Sequence, residues 1–280
     1  MELQKQLLPL LPEMTGDILR LQALLEAGSE PTVTVIGKYN HGKSRLLNEL
    51  IGSDVFAVAD KRQTVDLEER LHDGVRWLDA PGLDADVASN DDALALKAAW
   101  LKADIRLFVH TAKEGELDKS ERDLLKELRD NDEEAWRQTL FVLSQTDQLD
   151  DDGLQKVIAK IRKQVPGLMV YGVSPTMYRK GRDEGKQLLR ERSGFANLSA
   201  ALNDALHGAG DARKREIDAL RGRIEKALKK MHSAQKRRVT RLQDKQENHR
   251  QEFQKGLRKV LASIAKGQNN RGAIPPAPVI

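Results

Sequence analysis

The stretch Thr32-Val33-Thr34-Val35-Ile36-Gly37-Lys38-Tyr39-Asn40-His41-Gly42-Lys43-Ser44-Arg45-Leu46-Leu47 decides the fold. Its first five residues are all β-branched and predict a buried strand. Residues 37–44 then fit the pattern G-x-x-x-x-G-K-[ST], and an amphipathic helical rhythm follows at 43–51. Strand, glycine loop and helix in that order make a cradle for phosphate. Glycines let successive backbone N–H groups turn toward an anion, and the helix N-terminus adds its positive end. Lys43 supplies a cation at the phosphate oxygens, and the Ser44 hydroxyl is placed for Mg²⁺. Gly37, Tyr39, Asn40, His41, Gly42, Lys43, Ser44 and Arg45 are therefore the phosphate-side candidates. His41 is expected to face solvent as a loop histidine, with phosphate contact as the alternative.

Outward from this loop, short apolar runs alternate with helical stretches from 32 to about 207. Strands are expected at 32–36, 67–72, 75–79, 105–110, 139–144 and 169–174. Helices are expected near 43–51, 91–102, 118–130, 152–164 and 186–206. Such alternation predicts an α/β fold with a mostly parallel six-stranded sheet and helices on both faces. Only a short turn separates 67–72 from 75–79, so that pair should be an antiparallel hairpin with 67–72 at the edge.

Asp79-Ala80-Pro81-Gly82 closes the third expected strand, 35 residues after Ser44. A carboxylate there can hold a Mg²⁺-bound water, and the Gly82 N–H can sense a γ-phosphate. Residues Gly37 to Leu50 with Lys61-Arg62-Gln63-Thr64 resemble the translation-factor-related P-loop GTPases, especially their Era-like and dynamin-like branches. The resemblance covers about residues 32–206. It implies a GTPase domain using GTP/GDP and Mg²⁺, with Ser44, Thr64 and Asp79 as metal-side residues and Lys43, Thr64, Gly82 and Asn40 as catalytic ones. Val65 departs from the family, which carries a second threonine there.

The resemblance also implies a guanine pocket at Ser144-Gln145-Thr146-Asp147. Asp147 can accept from both N1–H and N2–H₂ of guanine, a pair that adenine lacks. Gln145 replaces the usual lysine. Ser174 stands in the last guanine element, where Pro175 has no N–H to give; Thr176 supplies it or the contact is missing. Leu83 stands where many small GTPases position water with glutamine, and leucine can neither donate nor accept. Asn40 matches relatives that hold K⁺ beside the phosphates, so K⁺ is a candidate cofactor; the alternative is an asparagine suited to the loop conformation. Asp84, Asp86, Asp91 and Asp92 lack the spacing of a calcium loop and read as solvated acids.

The flanks are helical. Residues 1–30 hold an amphipathic helix near 13–27, with Met14, Ile18, Leu21 and Leu25 on one face and Pro9 and Pro12 interrupting the rhythm upstream. The domain is expected at 31–207, with His207-Gly208-Ala209-Gly210 as a hinge. A basic arm at 208–266 reads as one long helix or as two with a polar joint, and 267–280 reads as a disordered tail. The stripes at 14–25 and 217–231 either pair with each other or dock separately.

Charge divides the same way. Of 280 residues, 47 are Lys or Arg and 43 Asp or Glu, for a net of +4. Residues 211–266 carry 18 basic and 7 acidic residues, whereas 1–210 carry 28 and 36. The basic arm makes an anionic membrane or RNA conceivable partners, beside an unknown protein partner or self-association through a coiled coil. It shows no G-x-x-G loop of the RNA-binding kind found in Era-like relatives. Zero cysteines exclude a disulfide scaffold, a thiolate nucleophile and thiolate-bound zinc. No apolar run approaches the ~20 residues of a membrane span. With no signal-peptide pattern at the start, a cytoplasmic protein, at most peripheral to membrane, is expected. Two non-enzymatic roles stay open: a nucleotide-gated binding module with negligible turnover, and a component of a dynamin-like assembly.

Overall fold

A computed structural model describes residues 2–56, 68–80, 99–131 and 136–269. The expectations for Thr64, Val65, Gly82, Leu83, the acids between Asp84 and Asp92, and the tail from 270 onward lie outside these residues.

The strands are β1 (Thr32–Ile36), β2 (Glu68–His72), β3 (Val75–Asp79), β4 (Ile105–Thr111), β5 (Thr139–Ser144) and β6 (Val170–Gly172). They form one sheet in the order β2-β3-β1-β4-β5-β6. Every pairing is parallel except β2 with β3, where His72 faces Val75 across the two-residue turn Asp73-Gly74. Both turn residues have positive φ, 48° and 72°, as a tight hairpin of right-twisted strands requires.

The central strands are buried on both faces, and alternate residues feed two cores. Val33, Val35, Leu107, Val109 and Val142 pack on one side with Leu46, Leu47, Phe195 and Leu198. Ile36, Phe108, Phe141 and Leu143 pack on the other with Leu125 and Ile161. These outer residues belong to α3 (Lys43–Ile51) and the start of α8 (Phe195–Asn269) on the first face, and to α4 (Lys119–Asn131) and α5 (Asp151–Gln164) on the second. Helices thus cover both faces, as the alternation predicts.

The segment expected as one helix at 186–206 differs. It is two helices, α7 (Gln187–Arg192) and the first turns of α8, and a helix that was not expected, α6 (Pro175–Asp183), precedes them. The break falls at Gly194, whose φ is +72° and where a Cβ would lie 2.0 Å from the Gly172 carbonyl oxygen. The expected hinge at 207–210 is absent, because α8 runs unbroken through both glycines to Asn269. A polar joint splitting the arm is absent too.

Before the sheet come α1 (Glu2–Leu7), a 3₁₀ turn at Pro12–Met14 and α2 (Thr15–Glu26), so the prolines do interrupt the rhythm. Ile18, Leu21 and Leu24 are buried, whereas Leu25 is about half exposed at 48%. Contacts divide the chain into units 1–222 and 223–280. In the first, Arg20 makes a buried two-pronged ion pair with Glu216 of α8 at 2.5 and 2.7 Å, and gives a third bond to the Leu101 carbonyl at 2.6 Å. Arg213 forks onto Asp104 at 2.8 and 2.6 Å and bonds the Gly28 and Glu30 carbonyls. Asp104 in turn accepts from the Thr32 N–H at 2.8 Å, at the first residue of β1. In the second unit, Phe253, Leu257, Val260, Leu261 and Ile264 are exposed, and no helix of the described residues is long and apolar enough to cross a membrane.

Candidate nucleotide site

After β1 the chain moves to β3 on one side and β4 on the other. Such a reversal opens a crevice at the carboxyl ends of parallel strands, where ligands of open α/β sheets bind. The residues at the ends of these strands gather there: Gly37 after β1, Asp79 on β3, His110 and Thr111 on β4, Ser144 on β5 and Gln145 just after it.

Residue 37 must be glycine, because a Cβ would fall 2.2 Å from the Val109 carbonyl oxygen. Asn40 and Gly42 then take φ of 60° and 82°, turning the loop into α3. Lys43 donates from Nζ to the Lys38 carbonyl at 2.9 Å. Lys38 itself pairs with Asp118, which raises the ammonium's pKa. The Tyr39 hydroxyl is buried without a hydrogen-bond partner among the described residues.

Ser44 donates its hydroxyl to Asp79 Oδ2 at 2.6 Å. Asp79 is 2% exposed, and burial pushes its carboxyl up, opposed by the Ser44 hydroxyl and the nearby Lys43. Its second oxygen, Oδ1, is buried with no partner among the described residues. A buried carboxylate with one oxygen left over, beside a hydroxyl, is a hard-oxygen donor set of the kind Mg²⁺ takes. The residues present fit the ion.

The base-side candidates sit on the next strand ends. Gln145 has φ 56° and donates from Nε2 to the Asn40 carbonyl at 2.9 Å, tying the loop after β5 to the phosphate loop. Thr146 and Asp147 form a 3₁₀ turn, with Asp147 exposed. Ser174 is differently employed. Its hydroxyl caps α6 by accepting from the Met177 N–H at 3.0 Å, and its own N–H goes to the Ser193 carbonyl at 2.9 Å. Both groups are engaged within the protein. Thr176 accepts from Arg45 at 3.3 Å.

His41 corrects its sequence reading: it is 1% exposed, not solvated. Its Nδ1 lies 3.2 Å from the Val109 carbonyl, and burial lowers its pKa. The Ser144 hydroxyl donates to the His41 carbonyl at 2.7 Å, tying this part of the loop to the end of β5.

Three structural residues escaped the sequence reading. Asn48, 2% exposed, accepts the Val55 and Phe56 N–H groups and donates to the Phe56 carbonyl, so it pins the chain just before residue 57. Asp118 and Glu121 cap α4 reciprocally, each accepting the other's N–H at 2.9 and 3.1 Å. The D-x-x-E spacing was the available signal. Asn48 carries none, since an asparagine inside a helix reads as a surface residue.

Comparisons with known proteins agree with this geometry. Residues 32–145 match the family model described as 50S ribosome-binding GTPase. An uncharacterized protein of Acinetobacter baylyi is 47% identical over 260 residues, covering 92% of this chain and 62% of that protein. The GTPase Der of Thermoanaerobacter pseudethanolicus is 33% identical over 93 residues, covering 30% of this chain and 21% of that protein. In three dimensions the chain is similar to a member of an oligomerised bacterial dynamin pair, with a TM-score of 0.55 and 18% identity, over 95% of this chain and 52% of that one. This chain therefore spans about three fifths or less of the length of these three relatives.

Proposed function

We propose that this chain, whose residues 32–145 form a P-loop GTPase domain, binds GTP with Mg²⁺ and hydrolyses it to GDP and phosphate, its switch segments gating the flanking helices. The Ser44–Asp79 pair at 2.6 Å, with Asp79 Oδ1 buried and unpartnered among the described residues, carries this reading. A bound Mg²⁺ supplies charge neutralisation at the β- and γ-phosphate oxygens. Gly42, Lys43 and the α3 N-terminus bind the phosphates. Asp147 selects guanine through its two donors. Gln145 holds the two loops together rather than lying free along the base. Thr64 and Gly82 contact the γ-phosphate side, and Asn40 holds K⁺.

Gating is supported by where Arg20 reaches. Its bond to the Leu101 carbonyl lies a few residues beyond the 81–98 segment, and Arg213 grips Asp104 just before β4. A shift at Leu101 or Asp104 with nucleotide would be felt at α2 and α8.

A second reading is favoured by the 18 basic against 7 acidic residues of 211–266 and by the dynamin-like fold. The bacterial dynamin pair is described as sensing and tethering membranes. Under this reading the arm binds anionic membrane and turnover rises on it. Phosphate release in KCl and in NaCl, with and without anionic vesicles, separates the readings. Release in Mg²⁺ supports the GTPase, and equal rates in both salts remove K⁺. Stimulation by vesicles supports the membrane role. Saturated GTP without release in any arm contradicts hydrolysis and leaves a nucleotide-gated binding module.

A further inference from the structure

Beneath the phosphate loop lies a cluster of side chains to which the proposed function gives no role. His41 is 1% exposed and His110, on β4, is fully buried. The two rings meet edge to face, with centroids 5.3 Å apart. Glu114 lies in a 3₁₀ turn at Ala112–Glu114 that follows β4, and its side chain is about half exposed at 48%. A nitrogen of each histidine and a carboxylate oxygen of Glu114 all lie within 4.8 Å of one another.

The histidines are oriented as metal ligands are. A ligating imidazole usually gives its other N–H to a carboxylate or backbone carbonyl, which fixes tautomer and ring angle. His110 has Nδ1 2.9 Å from the Glu121 carboxylate, which is itself fully buried and held by the α4 cap. His41 has Nδ1 3.2 Å from the Val109 carbonyl. Each ring therefore turns Nε2 away from its anchor. His110 Nε2 meets the Gly115 carbonyl, at 3.2 Å, next to Glu114. His41 Nε2 is buried and makes no hydrogen bond among the described residues, although Glu114 Oε1 is 3.2 Å away. Two ligand atoms bound at ~2.1 Å in a tetrahedral site stand about 3.4 Å apart, so this spacing is that of two ligands of one ion.

We propose that His41, His110 and Glu114 bind a first-row divalent transition metal of the zinc class. The ligands are His41 Nε2, His110 Nε2 and one Glu114 oxygen, with water at the fourth position. Imidazole with carboxylate suits zinc and its neighbours, unlike the all-oxygen set at Ser44 and Asp79. Entry is from the solvent side, past the half-exposed Glu114. Binding exchanges the His110–Gly115 bond for a metal bond and releases any proton on the two Nε2 atoms. The ion clamps the phosphate loop, through His41, to the end of β4. This proposal does not depend on nucleotide binding.

The test uses the full chain, stripped by chelator and returned to buffer with excess Mg²⁺. Cobalt(II) is titrated in and followed by visible absorption, then displaced by zinc. The expected result is one equivalent of cobalt with the intense bands of four-coordination, lost on adding zinc. Glu114→Ala, at an exposed side chain, should weaken affinity about tenfold or more, and His41→Gln at least as much, with melting curves reporting that both fold. Zinc should also raise the melting temperature of the unaltered chain and not that of Glu114→Ala. Absence of such bands would overturn the proposal. So would bands unchanged in both variants, which would mark adventitious binding at surface histidines.

Discussion

At the scale of single residues, the site rests on groups whose hydrogen bonds are almost all assigned. Lys43 spends its ammonium on the Lys38 carbonyl and Ser44 its hydroxyl on Asp79. Among the described residues the exceptions include Asp79 Oδ1, beside the Tyr39 hydroxyl and His41 Nε2, and an unpartnered buried oxygen costs roughly 1–3 kcal/mol unless a ligand meets it. Asp118 shows the same loop tied down electrostatically. Partial burial raises its carboxyl, but the Glu121 N–H, the Lys38 ammonium and the Ser120 hydroxyl outweigh this and hold it at about 2, against an ordinary 3.8. A carboxyl lowered in the folded state adds stability that is fully present above its unfolded value. That contribution is therefore lost as pH falls from about 3.8 through about 2. Acid titration followed by circular dichroism should show stability declining in this window, and Asp118→Asn should flatten that part of the curve.

At the scale of elements, the decisive contacts join the flanking helices to the domain. That the N-terminal and C-terminal helices need partners was legible as two apolar stripes, with pairing and separate docking both open; the structure joins α2 to α8 through Arg20 and Glu216. The chemistry of that join was not legible, since nothing local marks Arg20 or Glu216 as buried and 196 residues separate them. With both side chains about 95% buried, removing one strands the other's charge. Arg20→Ala should cost about 3–5 kcal/mol in urea unfolding, and Arg20→Met with Glu216→Leu should recover most of it. A larger loss in the double variant would contradict the pairing account. Helix α8 overrides a strong local signal. Gly208 and Gly210 read as a hinge because glycine costs a helix about 1 kcal/mol against alanine. Buried Ala209 and Ala212 and the Arg213 and Glu216 anchors hold the helix through them. A Cβ at either glycine would meet nothing within 4 Å. Gly208→Ala and Gly210→Ala should each raise stability by about 0.5–1 kcal/mol in thermal melts; a hinge would give loss instead.

At the scale of the whole molecule, the sheet was readable because β-branched runs and a glycine loop obey local rules. Five strands follow from them and from the apolar runs, and the edge strand β2, which has no β-branched residue, from the short turn that joins it to β3. Helix α6 was missed although Ser174-Pro175 is an N-cap followed by proline at the first helical position; its few apolar residues hid it. The phosphate side of the site was likewise legible in the motif. The burial of His41 was not, because it depends on β4 and the turn after it, far along the chain.

The central claim is a Mg²⁺-dependent guanine nucleotide site at the end of β1, and equilibrium titration with a fluorescent GTP analogue tests it most directly. The account predicts saturable binding in Mg²⁺ that weakens about tenfold or more in chelator and in Ser44→Ala, a loss of at least about 1.4 kcal/mol. It also predicts displacement by unlabelled GTP or GDP but not by equal ATP, with that preference lost in Asp147→Ala. Equal displacement by ATP, or binding indifferent to both Mg²⁺ and Ser44→Ala, would contradict it.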